Sequence, residues 1–170
     1  MLLCHPLLAA SGHHQPEGTE GFRSITYRAS GCSVFGFCAY FLPGIGLDSP
    51  PNQERCSSIR CLIDSLKIPW LIVADWNRVP EEVGSSYFAR YLGGAVVAPN
   101  VSMTCSSTAD GGGRVLEFVL VSADIAGKVQ CEANFKVPFK PHFVAVDFTI
   151  GLGYAADTGQ QLVIPRFQAP

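Results

Sequence analysis

The sequence predicts an α/β (α+β) fold, a mixed-sheet sandwich flanked by helices. Two largely apolar runs, residues 70–74 and 115–121, do not alternate with polar residues, which is typical of strands covered on both faces. Segments with a helical spacing of apolar residues separate the predicted strands, which favours a mixed sheet over a regular doubly wound one. A length of 170 residues, with 17 glycines and 12 prolines, fits one domain of short elements joined by turns.

The first half of the chain predicts two strands and a helix. Residues 24–29 and 32–42 are rich in β-branched and aromatic side chains and flank a turn at residues 30–31. A turn-rich loop then leads to Asn52, which we predict to be the N-cap of a helix that ends at Lys67. Four apolar residues carry the helical spacing: Cys56, Ile59, Ile63 and Leu66.

The second half predicts a buried strand, a helix and three further strands. Residues 70–74 form the buried strand, and Pro80 opens a helix that runs to about residue 92. The last three strands are predicted at residues 95–98, 114–122 and 142–151. Residues 1–21 are predicted to be a loose lead-in, residues 22–151 the domain, and residues 152–170 a tail.

Charge, apolar stretches and cysteines exclude several classes of protein. A net charge of -2 gives no overall positive field for nucleic acid, and no basic patch with interleaved aromatic residues stands out. The uncharged stretch at residues 29–47 contains several glycines and a proline, so no membrane span is predicted. Seven cysteines without a Cys-x-x-Cys pair favour buried free thiols over zinc or disulfides. The localisation stays open, with the cell interior favoured over secretion.

Polar residues interrupt the apolar strands at three places. Asp75 and Asn77 follow the first buried strand, Glu117 lies inside the second, and His142 precedes the last. A buried carboxylate costs several kcal/mol unless it is paired or binds a metal, so these residues predict a shared polar site. In the alternative interpretation, Asp75 and Asn77 form a strand-end turn and Glu117 points to solvent.

Four segments in sequence order resemble motifs of the endonuclease/exonuclease/phosphatase (DNase I-like) family. Ala74-Asp75-Trp76-Asn77, with Pro80 after it, resembles the family's Gly-Asp-x-Asn motif. Residues 114–122 resemble its arginine followed by an Asp-Tyr/Phe-x-Leu-x-Ser strand, and residues 140–146 resemble its Ser-Asp-His-x-Pro-Val strand. Upstream, Tyr40 and Pro43 fall where the family has a strand-end tyrosine followed by a proline.

This resemblance implies hydrolysis of a phosphate ester, assisted by Mg²⁺. Asp75 would orient or deprotonate the attacking water, and Asn77 would hold that water and a phosphate oxygen. His142 would stabilise the charge that develops on the phosphate, Glu117 would orient His142, and Tyr40 would donate a hydrogen bond to a phosphate oxygen. Members of the family cleave DNA, RNA, inositol phosphates and sphingomyelin, so the resemblance implies a phosphate-ester substrate, with nucleic acid among the candidates.

The sequence also departs from the family pattern. Pro141 replaces the aspartate of Ser-Asp-His, and neither Glu17 nor Glu20 lies in the apolar strand that the family's metal-binding glutamate requires. We therefore expect a carboxy-terminal portion of the fold, degenerate or truncated, with doubtful Mg²⁺ binding and weak or no activity. Its exposed sheet edge would associate with another chain.

Two alternatives stay open at this point. The first is a non-catalytic remnant that binds a partner or nucleic acid, which the missing metal-binding glutamate favours. The second is an unrelated α/β binding domain.

Overall fold

A computed structural model describes residues 9–12, 21–29, 32–106, 112–140, 143–151 and 161–163. The first elements are β1 (Ala9–Gly12), β2 (Phe22–Ala29), β3 (Cys32–Tyr40), α1 (Pro50–Leu66) and β4 (Trp70–Asp75). Next come α2 (Pro80–Ser85), α3 (Tyr87–Leu92), β5 (Gly94–Val97) and β6 (Glu117–Ser122). A 3-10 turn at Ala126–Lys128 then leads to β7 (Val129–Lys140), β8 (Phe143–Gly151) and β9 (Gln161–Val163).

The strands form two sheets. The larger sheet has six strands in the order β1-β2-β3-β4-β6-β5, and the smaller one has three in the order β7-β8-β9. Strands β3 and β4 are parallel, with α1 as their crossover, whereas all the other neighbours are antiparallel. The larger sheet is therefore mixed, as the sequence predicts.

Each face of the larger sheet packs against a different layer. Because side chains alternate along a strand, β3, β4 and β6 contribute residues to both faces. One face packs against the three helices through a core that includes Phe37, Ile72, Leu120, Ile59 and Phe88. The opposite face packs against β7 and β8 through a second core that includes Leu71, Val119, Val129, Phe148 and Ile150. The layers are helices, sheet and sheet, so in the described residues the helices flank one side of the sandwich.

Helix α1 corrects one local prediction. The helix begins at Pro50 with Ser49 as its N-cap, so the prediction of Asn52 as N-cap is wrong. Asn52 is buried, and its side chain accepts a hydrogen bond from the Leu42 N–H (2.9 Å) and donates one to the Gly46 carbonyl (3.1 Å). A residue type that favours caps here satisfies the backbone of the preceding loop instead.

The other differences concern element boundaries. The predicted helix at residues 80–92 is two helices, because Ser86 ends α2 and its hydroxyl caps α3 by accepting from the Ala89 N–H (3.2 Å). Strand β6 starts at Glu117 rather than at residue 114. Strands β1 and β9 fall within the segments expected to be a lead-in and a tail, and β7 has no counterpart among the predicted strands. The division of the chain into three parts stays a prediction.

Two further predictions concern thiols and membranes. The six cysteines among the described residues are free thiols, and Cys56 is buried whereas Cys61 is exposed. None of the helices in the described part of the chain is both long enough and apolar enough to cross a membrane. The edge strands of the larger sheet are β1 and β5, and association through such an edge stays a prediction.

Candidate active site

Three of the predicted site residues lie side by side at one edge of the larger sheet. Tyr40 is the last residue of β3 and pairs with Asp75, the last residue of the parallel strand β4. Asp75 in turn pairs with Glu117, the first residue of the antiparallel strand β6. Neighbouring strands lie about 4.8 Å apart, so these three residues span one small patch of surface.

The same three residues also share a face of the sheet. Their neighbours Ala39, Ala74 and Phe118 belong to the core on the helix side. Because successive side chains point to opposite faces, Tyr40, Asp75 and Glu117 project towards the side of the smaller sheet. Of the polar residues that the sequence predicts to share a site, Asp75 and Glu117 are thus neighbours in the sheet, and the site itself stays a prediction.

An aromatic stack on the opposite face fixes these strand ends. Each site residue is followed by an aromatic one, namely Phe41, Trp76 and Phe118. The buried indole of Trp76 stacks between the two phenyl rings, with ring centroids 4.9 Å and 5.4 Å apart and interplanar angles of 7° and 13°. Its Nε1–H donates to the Phe118 carbonyl (3.0 Å). The stack therefore holds the ends of β3, β4 and β6 in register behind the polar patch.

Asp75 is half-buried at the centre of the patch. The Asn77 backbone N–H donates to its Oδ1 (3.2 Å). Burial raises the pKa of the Asp75 carboxyl above its usual value, and the hydrogen bond from the Asn77 N–H opposes that shift. A raised pKa brings the carboxylate closer to the basicity that proton abstraction near neutral pH needs.

Asn77 anchors the loop that follows β4. Its backbone is in the left-handed region, with φ 50°. Its Nδ2–H donates to the Phe41 carbonyl (2.8 Å), which joins the loop after β4 to the loop after β3. Asparagine tolerates this backbone conformation better than most residues, and its amide also satisfies a backbone acceptor. One amide N–H is thus committed to the fold, whereas the side-chain Oδ1 has no donor within the described residues.

Glu117 is half-buried and held by Thr104. The hydroxyl of the fully buried Thr104 donates to Glu117 Oε2 and accepts from the N–H groups of Leu116 (2.9 Å) and Glu117 (3.2 Å). Burial raises the pKa of the Glu117 carboxyl, the negative charge of Asp75 raises it further, and the Thr104 hydroxyl opposes the shift. The two carboxylates therefore act on one another across the β4–β6 pair.

Thr104 also ties the smaller sheet to this patch, a role that the sequence does not reveal. Its carbonyl accepts from the N–H of Val144, the second residue of β8 (2.7 Å). Cys105, the next residue, is half-buried, and burial together with the charges of Glu117 and Asp75 raises the pKa of its thiol. Thr104 lies in an irregular segment with no periodicity, so no sequence pattern marks it.

Tyr40 is the accessible member of the patch. Its side chain is 46% exposed, although it closes a buried strand. The backbone carbonyl of Tyr40 accepts from Arg55 on α1 (3.1 Å), which fixes the end of β3 and leaves the ring facing outward.

One predicted site residue, His142, lies outside the described residues. So do Pro141, Glu17 and Glu20. In the part of the chain that the structure describes, no three His, Cys, Asp or Glu side chains are grouped so that they could hold a metal ion. The donors nearest to such a role are the carboxylates of Asp75 and Glu117. Their oxygens fit the preference of Mg²⁺, which commonly uses one or two carboxylates together with water and substrate phosphate.

Comparison with known proteins identifies the fold. The sequence matches no known protein-family profile and no curated protein. Among solved structures, the endonuclease domain of TRAS1, a telomere-specific non-LTR retrotransposon, superposes with a TM-score of 0.65 and 11% identity, over 88% of this chain and 72% of that one. The 3'-5' exonuclease from Neisseria meningitidis superposes with a TM-score of 0.53 and 14% identity, over 85% of this chain and 70% of the exonuclease chain.

A third solved structure is considerably longer than the part of it that this chain covers. The cytolethal distending toxin from Actinobacillus actinomycetemcomitans gives a TM-score of 0.54 and 17% identity, over 82% of this chain but only 57% of the toxin chain. At these identities the likeness concerns the fold. The chain therefore has the DNase I-like α/β fold found in nucleases and phosphodiesterases, in agreement with the resemblance drawn from its motifs.

Proposed function

We propose that the patch of Tyr40, Asp75 and Glu117 is a phosphate-ester hydrolase site, completed by Asn77 and His142. The observation that carries the proposal is the register across three strands, which gathers two carboxylates of raised pKa and an exposed phenol on one face of the sheet. The same residues match, in sequence order, the motifs of the endonuclease/exonuclease/phosphatase family. A fold shared with nucleases supports this chemistry for the chain.

Asp75 acts as the base in this proposal. A water proton passes to the Asp75 carboxylate, the water oxygen forms a bond to phosphorus, and the ester P–O bond on the opposite side breaks. The leaving oxygen then takes a proton from solvent. The raised pKa of Asp75 suits it to accept the proton, and the anchored loop after β4 keeps its carboxylate in place.

His142 and Tyr40 would stabilise the phosphate. The match of residues 140–146 to the family's histidine motif supports this role for His142, and Val144 of the same motif is hydrogen-bonded to Thr104, the residue that holds Glu117. Glu117 would then orient the imidazole through the oxygen that Thr104 does not contact, and the Tyr40 hydroxyl would donate to a phosphate oxygen.

We include Mg²⁺ in the proposal as an ion held by Glu117, so that Asp75 stays free to act as the base. Bound to the Glu117 carboxylate together with water and substrate, the ion would neutralise charge on the phosphate. Burial and, to a lesser extent, the charge of Asp75 raise the pKa of Glu117, and a divalent cation beside Glu117 would offset both effects, which supports the proposal. Isothermal titration with Mg²⁺ of the wild type and of Glu117→Gln tests this role without requiring turnover.

One observation favours a non-catalytic alternative. The Asn77 amide already donates to the Phe41 carbonyl, and Thr104 already occupies one Glu117 oxygen, so both side chains serve the fold. In that case the patch would bind a phosphate-containing partner without cleaving it. We therefore expect hydrolysis by this chain to be slow.

The test is Mg²⁺-dependent cleavage of a plasmid and of a phenyl phosphodiester by purified protein. We expect cleavage that falls about 10²- to 10⁴-fold in Asp75→Asn, the range typical of a lost general base. Because burial raises the pKa of Asp75, the rate should also fall with decreasing pH before an ordinary aspartate titrates. The control is Asp124→Asn, which makes the same change at an exposed position beyond the other end of β6 and should leave the rate unchanged. Cleavage that is equal in Asp75→Asn and wild type would refute the role of Asp75, and binding without cleavage would favour the alternative.

A further inference from the structure

A cavity of about 390 Å³ lies on the helix side of the sheet. It is formed by the loop after β3, the loop after β4 and the two short helices α2 and α3. Its residue Arg78 directly follows Asn77, and the Asn77–Phe41 hydrogen bond joins the two loops. The cavity and the candidate site are therefore connected through the loop after β4, which carries both Asn77 and Arg78.

The cavity offers an aromatic ring that is free to stack. Tyr87 lines it and is 64% exposed. Its ring contacts Tyr91 at one side, with centroids 5.8 Å apart and a tilt of 38°. Tyr91 is occupied differently, because the Arg60 guanidinium lies over its ring at 3.5 Å. Tyr87 is therefore the ring that remains available to a planar group entering the cavity.

Two guanidinium groups stand beside that ring. Arg90 lines the cavity, and no acidic side chain among the described residues forms an ion pair with it. Arg78 meets Glu82 only at 3.8 Å, a partly exposed contact that contributes little binding energy. Guanidinium groups bind phosphate oxygens readily, so the cavity combines a stacking surface with anion donors.

The charge of the cavity selects among phosphate ligands. Asp48 and Glu82 also line it, and they balance Arg78 and Arg90. A neutral set of charged side chains suits the single negative charge of a phosphodiester better than the several charges of an inositol polyphosphate. The buried side chain of Leu47 adds an apolar surface, which suits a base rather than a sugar alcohol.

We propose that this cavity binds one nucleotide of a single-stranded nucleic acid, with its base stacked on Tyr87 and its phosphate held by Arg90. Unpaired bases expose the flat faces that an outward-facing tyrosine needs, whereas the bases of a duplex are already stacked. The inference rests on the proposed function for the place of the cleaved phosphate, and it names the substrate class. Tyr87 and Arg90 are three residues apart on one helix, but only the fold brings Arg78 to the same cavity.

The test is fluorescence anisotropy with a labelled oligothymidylate in EDTA, so that binding is read without cleavage. We expect Tyr87→Ala to weaken binding about tenfold or more, the loss typical of one stacked base, whereas Tyr87→Phe keeps the ring and the affinity. Arg90→Gln should lower the slope of log affinity against log salt by about one, and Lys128→Gln should not. The last variant makes the same charge change near the opposite end of β6.

The outcomes separate this inference from the proposed function. Equal affinity of Tyr87→Ala and wild type, tighter binding of duplex or inositol hexakisphosphate, or no binding of the oligonucleotide would each overturn the inference. If Tyr87→Ala loses binding but the wild type cleaves no phosphate ester, the nucleotide site stands and the hydrolase proposal fails. If cleavage depends on Asp75 but the affinity for the oligonucleotide is the same in Tyr87→Ala and wild type, the hydrolase proposal stands and this inference fails.

Discussion

The two faces of the sheet at its functional edge are built on opposite principles. On the helix side, Trp76 stacks between two aromatic rings and its indole N–H is hydrogen-bonded. On the other side, Asp75 and Glu117 face one another with raised pKa values, and Tyr40 is exposed. One face supplies packing that stabilises the strand ends, and the other concentrates charge that destabilises them. The aromatic stack therefore provides the rigidity on which the polar patch depends.

Removing the stack should produce the largest effect. Trp76→Ala leaves a cavity between Phe41 and Phe118, and such truncations of buried aromatic residues cost about 3–5 kcal/mol. The free energy of unfolding, measured by urea titration, should fall by that amount. Trp76→Phe keeps a ring in the stack and should lose less. Equal losses in the two variants would mean that stacking does not hold the strand ends.

Loosening the Asn77 anchor should have a smaller effect. Asn77→Gly loses the hydrogen bond to the Phe41 carbonyl, at a cost of about 1 kcal/mol, but accepts the positive φ. Asn77→Ala loses the same bond and adds the strain of a left-handed backbone, about 1 kcal/mol more. Thermal unfolding of both variants measures the difference. If alanine is tolerated as well as glycine, backbone strain does not explain why asparagine stands here.

The charge on the polar face should give the smallest and most specific signal. Because the folded-state pKa of Glu117 is raised, the folded protein binds more protons than the unfolded chain between the ordinary value near 4.5 and the raised value. The stability of the wild type should therefore fall as the pH rises through that window, and Glu117→Gln should lack this part of the fall. Urea unfolding at pH 4 and pH 7 compares the two proteins. A stability difference between them that does not change with pH would contradict the raised pKa.

Much of this architecture is predictable from the sequence, but the pairing that makes the site is not. The apolar runs locate β3, β4 and β6, and the motifs point to Tyr40, Asp75 and Glu117. Apolar and polar residues alternate from Val129 onward, which is typical of a strand such as β7. By contrast, β6 lies between β4 and β5, a long-range choice that no local pattern specifies.

Side-chain partners were the least predictable level. Asparagine favours the N-cap position of helices, but Asn52 instead forms hydrogen bonds with the backbone of the preceding loop. Its burial beside that loop outweighs the local preference for a cap. Thr104 holds Glu117 from thirteen residues away through an irregular segment. The sequence does indicate the aromatic stack, because each site residue on the three strands is followed by an aromatic one. Successive side chains point to opposite faces, so these aromatic residues share the face behind the site.

The most direct test of the central claim is a crystal structure of the protein with Mg²⁺ and phosphate. The account predicts that the anion lies within hydrogen-bond reach of the Tyr40 hydroxyl and of His142, on the face of the sheet that carries Asp75 and Glu117. A phosphate bound elsewhere, or a His142 beyond the reach of an anion at Asp75, would contradict it.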